Sequence, residues 1–240
     1  MAGDRNVMTR HADAVVVLSG GMDSTVCAAL AVRDHGAANT AALHISYGQR
    51  TEAREQRAFN AICDRLGIHT RLMFRTPFFR AIGGSALTSE HIDVPQAGPE
   101  IGAGIPVTYV PFRNAHFLAA ATSWAEVLGA GRIYIGAVQQ DSSGYPDCRP
   151  EFYAAFNQAI RTGTKQGDLR IETPLIALRK SEIVMLGLEL GAPFDLTWSC
   201  YSREDLACGS CESCALRLRA FAAAGARDPI SYLSPAKVPE

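Results

Sequence analysis

The stretch Ala14-Val15-Val16-Val17-Leu18-Ser19-Gly20-Gly21-Met22-Asp23-Ser24-Thr25 decides the expected fold. Its first five residues are apolar and mostly β-branched, a run that is typical of a strand buried on both faces. Residues 19–21 then indicate a loop, after which small and apolar residues recur at helical spacing from Ser24 to Gly36. The stretch therefore predicts a buried strand, a glycine-rich loop and a helix that begins near Asp23 or Ser24.

The same alternation continues along the chain. Residues 41–47 are a second strand candidate, and Thr51 opens a second helix that stops at Gly67. The order strand, helix, strand, helix predicts an α/β fold with a doubly wound, mainly parallel sheet. Further elements are expected as a strand at 132–138 and as helices at 114–128, 150–162, 180–190 and 212–224. Residues 76–106 lack a clear period and are expected to form a long excursion over the active face.

Length and composition bound the organisation of the chain. The 240 residues are 48% hydrophobic and 20% charged, with a formal net charge of -1. This is enough for one full-sized core with a small appendage. We expect an α/β domain at residues 1–195 and a small cysteine-rich segment with a terminal helix at 196–240. A near-neutral balance offers no broad basic face for a phosphate backbone, so nucleic acid is not an expected partner.

The sequence shows no targeting or membrane signal. Residues 1–12 mix charged and polar side chains instead of placing a basic segment before an apolar one, and no apolar run approaches the roughly 18 residues of a membrane span. We therefore expect a soluble, cytoplasmic protein that makes no membrane contact.

The loop at residues 19–25 is a candidate phosphate site. Backbone N–H groups and the positive end of a helix can hold an anion where a buried strand passes into a helix. Paired glycines allow close approach of a ligand, and the hydroxyls of Ser19, Ser24 and Thr25 are further donors. No lysine follows as in GxxxxGK[ST], which excludes a P-loop kinase or GTPase. The loop resembles instead the SGGxDS signature of the PP-loop ATP pyrophosphatases, which cleave ATP between the α and β phosphates.

ATP is therefore the expected ligand of the α/β domain. The expected ATP-binding residues are Leu18, Ser19, Gly20, Gly21, Met22, Asp23, Ser24, Thr25, Val26, Cys27 and Ala28. Asp23 has two readings: it caps the helix, or, beside three phosphates, it holds Mg²⁺ directly or through water. The alternative for the whole stretch is a glycine-rich turn without a ligand.

The cysteines indicate a metal site. Four of the seven lie in one segment with the spacing C-x7-C-x2-C-x2-C: Cys200, Cys208, Cys211 and Cys214. An odd total with a tight cluster favours metal ligands in a reducing compartment over disulfides. Four thiolates predict one structural Zn²⁺ per chain, because they leave no open coordination position. An iron–sulfur cluster is the alternative, and Arg217 and Arg219 are candidates to offset the charge of the site.

Several further blocks follow one another in the order of a known family. The most specific is Asp141-Ser142-Ser143-Gly144-Tyr145-Pro146-Asp147-Cys148-Arg149. The supporting blocks are Tyr47-Gly48-Gln49-Arg50, Val110-Pro111-Phe112-Arg113-Asn114, Glu172-Thr173-Pro174-Leu175 with Lys180, and Thr197-Trp198-Ser199-Cys200-Tyr201. With these blocks the chain resembles, from Val15 to Phe221, the 7-cyano-7-deazaguanine synthase family of the queuosine pathway. Phe112 departs from the family pattern, because many members have glycine at this position. The departure affects the close backbone contact that a glycine would permit, and it leaves the implied roles of Arg113 and Asn114 unchanged.

The resemblance implies a reaction and a set of site residues. The reaction converts 7-carboxy-7-deazaguanine, ammonia and ATP with Mg²⁺ into the nitrile preQ0, through an adenylated carboxylate and an amide, in a homodimer. Asp23, Arg113 and Lys180 are the expected catalytic residues, the last two as cations over the phosphates. The expected substrate-binding residues are Asn114, Asp141, Tyr145, Asp147 and Arg149.

Three substrate-binding residues have specific expected roles. Tyr145 offers a flat face for the deazapurine, Asp147 an acceptor for its N–H edge, and Arg149 a planar fork for the carboxylate. Without the resemblance, residues 144–149 are better interpreted as a tight turn with a capping aspartate and a solvated arginine. Cys148 is interpreted as a small buried residue, because no feature supplies it with a base.

Two other functions stay open at this point. Another PP-loop ligase, such as a tRNA thiolase or an NAD synthetase-like amidase, would share the loop, but a thiolase needs a catalytic cysteine pair and a tRNA-binding face that the sequence does not show. The alternative outside catalysis is a zinc-dependent binding module that keeps ATP as a structural ligand.

Overall fold

A computed structural model describes residues 11–98, 104–139, 144–165 and 167–233. The strands are β1 (Ala14–Val17), β2 (Thr40–Ser46), β3 (Thr70–Arg75), β4 (Arg132–Ile135) and β5 (Arg170–Glu172). The α-helices are α1 (Met22–His35), α2 (Glu52–Leu66), α3 (Phe78–Ile82), α4 (Arg113–Leu128), α5 (Pro150–Gly163), α6 (Lys180–Glu189) and α7 (Glu212–Ala223). Short 3-10 helices lie at Ala37–Asn39, Pro146–Cys148 and Phe194–Leu196.

The strands form one parallel sheet in the order β3-β2-β1-β4-β5. β1 is central, and its Val17 lies opposite Leu43 of β2 and Ile135 of β4. The chain winds outward from β1 to β3 and then returns to the other side of β1, so the winding direction reverses between β1 and β4. Ligands of such sheets bind outside the carboxyl ends of the strands at this reversal. The loop that follows β1 lies at that position.

Helices cover both faces of the sheet. On one face Val16 of β1 packs in a core that includes Phe59 of α2 and residues of α1, α6 and α7. On the other face Val15 of β1 packs in a second core that includes Leu118 of α4 and residues of α5. Because alternate residues of β1 enter different cores, the strand is apolar throughout. These two cores confirm the expected doubly wound, mainly parallel α/β fold.

The structure corrects several predicted elements. β3 and β5 were not predicted, because β3 is an exposed edge strand that carries Arg71 and Arg75, and β5 has only three residues. The strand predicted at 132–138 ends at Ile135, and α1 begins at Met22. An exposed or very short strand lacks the apolar run on which the sequence prediction depends.

The segment after β3 is fixed at two points. Arg50 donates hydrogen bonds to the carbonyl oxygens of Ala86, Ser89 and Ile92, at 2.7 to 2.8 Å. Farther along, the N–H of Ala97 donates to the carbonyl oxygen of Ser210 at 2.8 Å. The segment therefore connects the loop after β2 with the cysteine-rich segment.

Within the described ranges, no helix has the length and apolar character that crossing a membrane requires. The domain boundary expected at residue 195 stays a prediction. α6 and α7 pack against each other from the two sides of that boundary.

Candidate active site

A cavity of about 280 Å³ lies beyond the carboxyl ends of β1, β2 and β4. Its walls come from the loop after β1, the starts of α2, α4 and α6, and residues 198–201. The cavity brings together the three expected catalytic residues, Asp23, Arg113 and Lys180. Asn114 and Tyr145 of the expected substrate-binding set also line it.

Two glycines allow the phosphate loop to approach its neighbours closely. Gly20 has a φ of 92°, and a Cβ atom there would lie 2.9 Å from the carbonyl oxygen of Glu55. A Cβ atom on Gly136, directly after β4, would lie 2.8 Å from the backbone nitrogen of Ser24. Side chains do not tolerate contacts this short with backbone atoms, so both positions require glycine. The start of α1 therefore lies in direct contact with α2 and with the end of β4.

The hydroxyl groups of the loop hold its own backbone. Ser19 Oγ accepts a hydrogen bond from the N–H of Gly21 at 3.2 Å and lies 3.0 Å from Ser24 Oγ. Ser24 Oγ and Thr25 Oγ1 both donate to the carbonyl oxygen of Gly21, at 3.0 and 2.8 Å. Thr25 is fully buried. Its hydroxyl therefore stabilises the loop and does not face the cavity.

The predicted ATP-binding residues fall into two groups. Those that line the cavity are Leu18, Ser19, Gly21, Met22, Asp23 and Ser24. Those that lie behind the cavity wall are Gly20, Thr25, Val26, Cys27 and Ala28, and the last four are fully buried. The second group shapes the loop and the core, and its contact with ATP stays a prediction.

Asp23 and Lys180 form an ion pair in the cavity. Lys180 Nζ donates to Asp23 Oδ2 at 2.5 Å, and the two side chains are 23% and 16% exposed for Asp23 and Lys180. The other oxygen, Asp23 Oδ1, is buried and receives no hydrogen bond from any residue in the described ranges. No side chain caps the start of α1, so Asp23 does not act as the helix cap. A buried carboxylate oxygen without a donor suits contact with a cation or its water.

Arg113 is held by aromatic side chains. Its Nη1 donates to the hydroxyl oxygen of Tyr47 at 3.0 Å. Its guanidinium carbon lies 5.3 Å from the ring centroid of Tyr47 and 5.6 Å from that of Phe117. Because a guanidinium stays protonated in such surroundings, Arg113 supplies a fixed positive charge to the cavity.

Phe112, which precedes α4, adopts a left-handed backbone conformation. Its φ is 56°, and no other non-glycine residue of the described ranges has a positive φ. The side chain is 57% exposed, and its ring contacts that of Phe152 with a centroid distance of 6.0 Å. A glycine at this position would adopt the left-handed conformation without the steric cost that a Cβ atom adds. From the sequence, we expected a glycine at this position to permit a close backbone contact instead.

The block at residues 144–149 divides between the cavity and the protein interior. Tyr145 lines the cavity, with its hydroxyl 2.9 Å from Thr108 Oγ1. Asp147 is buried outside the cavity wall, and its Oδ2 accepts a hydrogen bond from the N–H of Asn114 at 2.9 Å. This burial raises the pKa of Asp147. Arg149 is exposed and does not line the cavity, so a substrate contact of either residue stays a prediction.

Asp141, the remaining member of the expected substrate-binding set, lies outside the described residues. Cys148 lines the cavity and accepts a hydrogen bond from Asn114 Nδ2 at 3.4 Å. Burial raises the pKa of the Cys148 thiol to about 11. The group is therefore a neutral thiol near neutral pH, which fits a cysteine without a base, but the side chain is only partly buried and faces the cavity instead of the core.

Three further cavity residues were not assigned a role from the sequence: Glu55, Trp198 and Tyr201. Trp198 packs beneath the guanidinium of Arg54 at 4.5 Å. Glu55 Oε2 accepts a hydrogen bond from Gln49 Nε2 at 2.8 Å, and its Oε1 accepts one from Thr51 Oγ1 at 2.9 Å. Burial raises the pKa of Glu55 to about 7. In the sequence, Glu55 is marked only by its position in the first turn of α2, shortly after the Tyr47 block.

Residues 197–201 contact both the phosphate loop and helix α7. The N–H of Trp198 donates to the carbonyl oxygen of Gly20 at 2.8 Å. Arg217 Nη1 donates to Thr197 Oγ1 at 2.6 Å. Arg217 is almost fully buried and pairs with buried Asp228, with nitrogen–oxygen distances of 2.7 and 2.9 Å. The sequence had suggested that Arg217 offsets the charge of the cysteine cluster. In the structure, its charge is offset by Asp228 instead.

The four cysteines of the cluster come together in space. Their sulfur atoms all lie within 4.8 Å of one another. Cys208 Sγ and Cys214 Sγ are 3.8 Å apart, which matches the separation of about 3.8 Å between two sulfur ligands at about 2.3 Å from a tetrahedral ion. The N–H groups of Ser202 and Cys208 point at Cys200 Sγ, each at 3.4 Å. The donor set therefore fits a closed, four-thiolate metal site.

Comparison with known proteins gives a family for this arrangement. The sequence model of the family described as Queuosine biosynthesis protein QueC matches residues 13–225. A 7-cyano-7-deazaguanine synthase of Koribacter versatilis is 75% identical over 219 residues, which cover 91% of this chain and 92% of that protein. Proteins of the same name from Acidobacterium capsulatum and Chlorobaculum parvum are 67% and 56% identical, each over 91% of this chain and 96% of its own length. The match includes both the phosphate loop and the cysteine cluster, so the chain belongs to the QueC family of queuosine biosynthesis proteins.

Proposed function

We propose that the protein converts 7-carboxy-7-deazaguanine, ammonia and ATP into 7-cyano-7-deazaguanine. The observation that carries the proposal is the single cavity that contains the phosphate loop, the Asp23–Lys180 pair and Arg113, in a chain of the QueC family. Such a cavity combines an anion site with fixed positive charges, which is what adenylation of a carboxylate requires.

The first step forms an acyl-adenylate. A carboxylate oxygen of the substrate attacks the α-phosphorus of ATP, and the bond to the bridging oxygen of pyrophosphate breaks. Pyrophosphate leaves toward the N–H groups at the start of α1, which carry a partial positive charge. Arg113 and Lys180 line the same cavity and stabilise the negative charge that spreads over the phosphate oxygens.

The second and third steps build the nitrile. Ammonia adds to the acyl carbon, AMP leaves, and an amide results. The amide oxygen is then adenylated by a second ATP, and loss of AMP and of two protons from the nitrogen leaves a carbon–nitrogen triple bond. Because both activations use the same chemistry at the α-phosphorus, one phosphate loop serves both.

Asp23 is the proposed site of contact for Mg²⁺. The orphaned oxygen Oδ1 fits a cation or its water. When bound, Mg²⁺ would neutralise phosphate oxygens and orient the pyrophosphate. Tyr145 and Asn114 line the cavity and are proposed to contact the deazapurine, together with Asp147 for its N–H edge and Arg149 for its carboxylate.

The metal of the cysteine cluster is proposed to be one structural Zn²⁺ per chain. Four thiolates fill a tetrahedral shell, so the site has no position at which water could be activated. The cluster lies beside residues 197–201, since Cys200 belongs both to the cluster and to that segment. A cluster of cysteines that serve as metal ligands favours a reducing compartment, which supports a cytoplasmic location.

A homodimer is also proposed. β3 is an edge strand, and its Leu72, Met73 and Phe74 are 39%, 54% and 46% exposed. An exposed apolar edge strand is typical of a surface that a second chain covers. Light scattering at several protein concentrations tests the dimer, and a monomer at micromolar concentration would contradict it.

The function is tested by incubating the purified protein with ATP, Mg²⁺, ammonium and 7-carboxy-7-deazaguanine, followed by mass analysis of the products. We expect AMP, pyrophosphate, the amide and finally the nitrile, none of them without the acid. Pyrophosphate release that does not depend on the acid, or no turnover at all, would contradict the proposal. Replacement of the acid by other purine acids measures how specific the cavity is.

A further inference from the structure

Glu55 is a carboxylate in the cavity to which the steps above give no role. It lies in the first turn of α2, and its carbonyl oxygen is the atom that a Cβ on Gly20 would approach to 2.9 Å. That turn therefore packs directly against the phosphate loop. The Glu55 side chain lines the same cavity as Arg113 and Lys180, in which the acyl-adenylate of the proposed function would form.

Neutral donors hold the carboxylate of Glu55. Gln49 Nε2 donates to Oε2 at 2.8 Å, and Thr51 Oγ1 donates to Oε1 at 2.9 Å. Among the residues that the structure describes, no Lys, Arg or His nitrogen lies within 4.0 Å of this carboxylate. A carboxylate oxygen has two lone pairs, so each oxygen keeps acceptor capacity beyond the bond described. The group is fixed in place and still able to take a proton.

The surroundings of Glu55 adjust its acidity toward neutral pH. Burial raises the pKa of Glu55 to about 7, against the lowering effect of the two hydrogen bonds and of Arg113 on α4. Glu52, on the same helix, adds to the rise, and Tyr47 is the titratable group that faces Glu55 from the end of β2. A carboxyl group with a pKa near the working pH exchanges a proton readily in both directions.

We propose that Glu55 is the proton acceptor for ammonia in the amide-forming step, an inference that rests on the proposed function. The lone pair of ammonia forms the carbon–nitrogen bond, and the bond between the acyl carbon and the AMP oxygen breaks, with its electron pair leaving on AMP. The nitrogen loses one proton to the Glu55 carboxylate, which releases it to water. Acyl-adenylate and ammonia thus give the amide, AMP and one proton. Without an acceptor the added nitrogen stays cationic and is expelled again.

Glu55→Gln tests this role, because the amide keeps the size of the side chain and removes the proton acceptor. Exchange of pyrophosphate into ATP that depends on 7-carboxy-7-deazaguanine, measured without ammonia, reports adenylation alone. Amide formation with ammonium chloride reports the complete step. We expect amide formation to fall by roughly 100-fold or more, at least ten times further than exchange falls.

The pH profile provides a second reading. With rates expressed per free ammonia, the wild-type rate should rise with pH through about 7 and then level off, because Glu55 accepts a proton only when ionised. The Glu55→Gln profile should lack this rise. Glu52→Gln is the matched control, since Glu52 lies outside the cavity and pairs with Arg75. Its profile should keep the increase with pH, displaced to lower pH because the charge of Glu52 contributes to the raised pKa of Glu55.

The outcomes separate the inference from the function on which it rests. Equal losses in exchange and in amide formation, or a rise through pH 7 that persists in Glu55→Gln, would overturn the role of Glu55. If the wild-type protein supports neither exchange nor amide formation, the proposed function itself fails. Should Glu55→Gln not fold in a thermal unfolding test, Glu55→Asp decides: it must keep the pH-dependent rise at a reduced rate.

Discussion

Lys180 Nζ lies 2.5 Å from Asp23 Oδ2, so the first residue of α6 is joined to the first turn of α1 across the cavity. Lys180 offsets the negative charge at Oδ2. The other oxygen, Oδ1, is buried and receives no hydrogen bond from the described residues. The arrangement assigns one oxygen to a protein cation and makes the other available to a second cation.

Asp23→Asn should abolish ATP-dependent turnover and leave the fold intact. The amide cannot supply a negative oxygen to a cation beside the phosphates, so we expect AMP formation to fall by roughly 100-fold or more. Asp34→Asn, at the exposed end of the same helix, is the control. AMP formation at the wild-type rate in a well-folded Asp23→Asn protein would remove Asp23 from the metal or phosphate site.

Gly136→Ala should displace the start of α1 and weaken ATP binding. The added Cβ would lie 2.8 Å from the backbone nitrogen of Ser24, so the phosphate loop must shift, and KM for ATP should rise at least several-fold. Gly131→Ala is the matched control directly before the same strand, where a Cβ meets no atom within 4 Å. The prediction fails if the two substitutions have the same KM for ATP.

The purified protein should contain about one zinc ion per chain, and Cys211→Ser should lower its stability before it affects the chemistry. Loss of one ligand opens the tetrahedral site and removes metal-linked folding energy. Elemental analysis and thermal unfolding measure the two effects. Cys63→Ala, at a buried cysteine outside the cluster, should keep the metal. Iron with visible absorption, or active protein without metal, would contradict the zinc assignment.

Asp228→Asn should destabilise the protein strongly, by about 3 to 5 kcal/mol, because it leaves a buried guanidinium with a weakened partner. The Arg217 and Asp228 side chains are 2% and 3% exposed. Arg217 also binds Thr197 in the segment that contacts the phosphate loop, so KM for ATP should rise with the loss of stability. Asp205→Asn, in an exposed pair with Arg203, should hardly change the melting temperature. An Asp228→Asn protein that melts like the wild type would exclude this role.

Asp147 and Arg149 should differ in their effects on the two organic substrates. If Asp147 binds the purine edge, Asp147→Asn should impair the acid and the amide alike, by roughly 1 to 3 kcal/mol in binding. If Asp147 only holds the start of α4 through Asn114, stability should fall without that change. Arg149→Lys should impair chiefly the charged acid, since an ammonium cannot reproduce a bidentate fork. Equal slowing of both substrates by Arg149→Lys would exclude a carboxylate contact.

The parts of the fold that the sequence predicted are those with a strong local pattern. β1 is apolar throughout because both of its faces are buried, and the helix that Gly67 was expected to stop does end there, with Gly67 in the left-handed region. β3 escaped prediction because its last four residues are exposed. Periodicity reports burial, and an exposed edge strand has little of it.

The residues of the candidate site also differ in how far the sequence predicts them. The phosphate loop and the four cysteines are short motifs, and each is visible within a few residues of sequence. From the sequence, Glu55 had no assigned role and Arg217 was connected only with the cysteine cluster. What distinguishes the two residues is burial and contacts with other elements, such as the Gly20 loop for α2 and Thr197 for Arg217. For Thr25 the sequence suggested a hydroxyl donor to a ligand, whereas in the structure this hydroxyl is buried and donates to the carbonyl oxygen of Gly21.

The hydrogen bond from the N–H of Trp198 to the carbonyl oxygen of Gly20 has a consequence for the newly made protein. A ribosome releases the chain from the amino end at roughly 5 to 20 residues per second, so the phosphate loop emerges well before the residue that braces it. Arg217, which donates a hydrogen bond to the neighbouring Thr197, and its partner Asp228 emerge later still. Nascent chains should therefore gain affinity for ATP only after the cysteine segment has been synthesised.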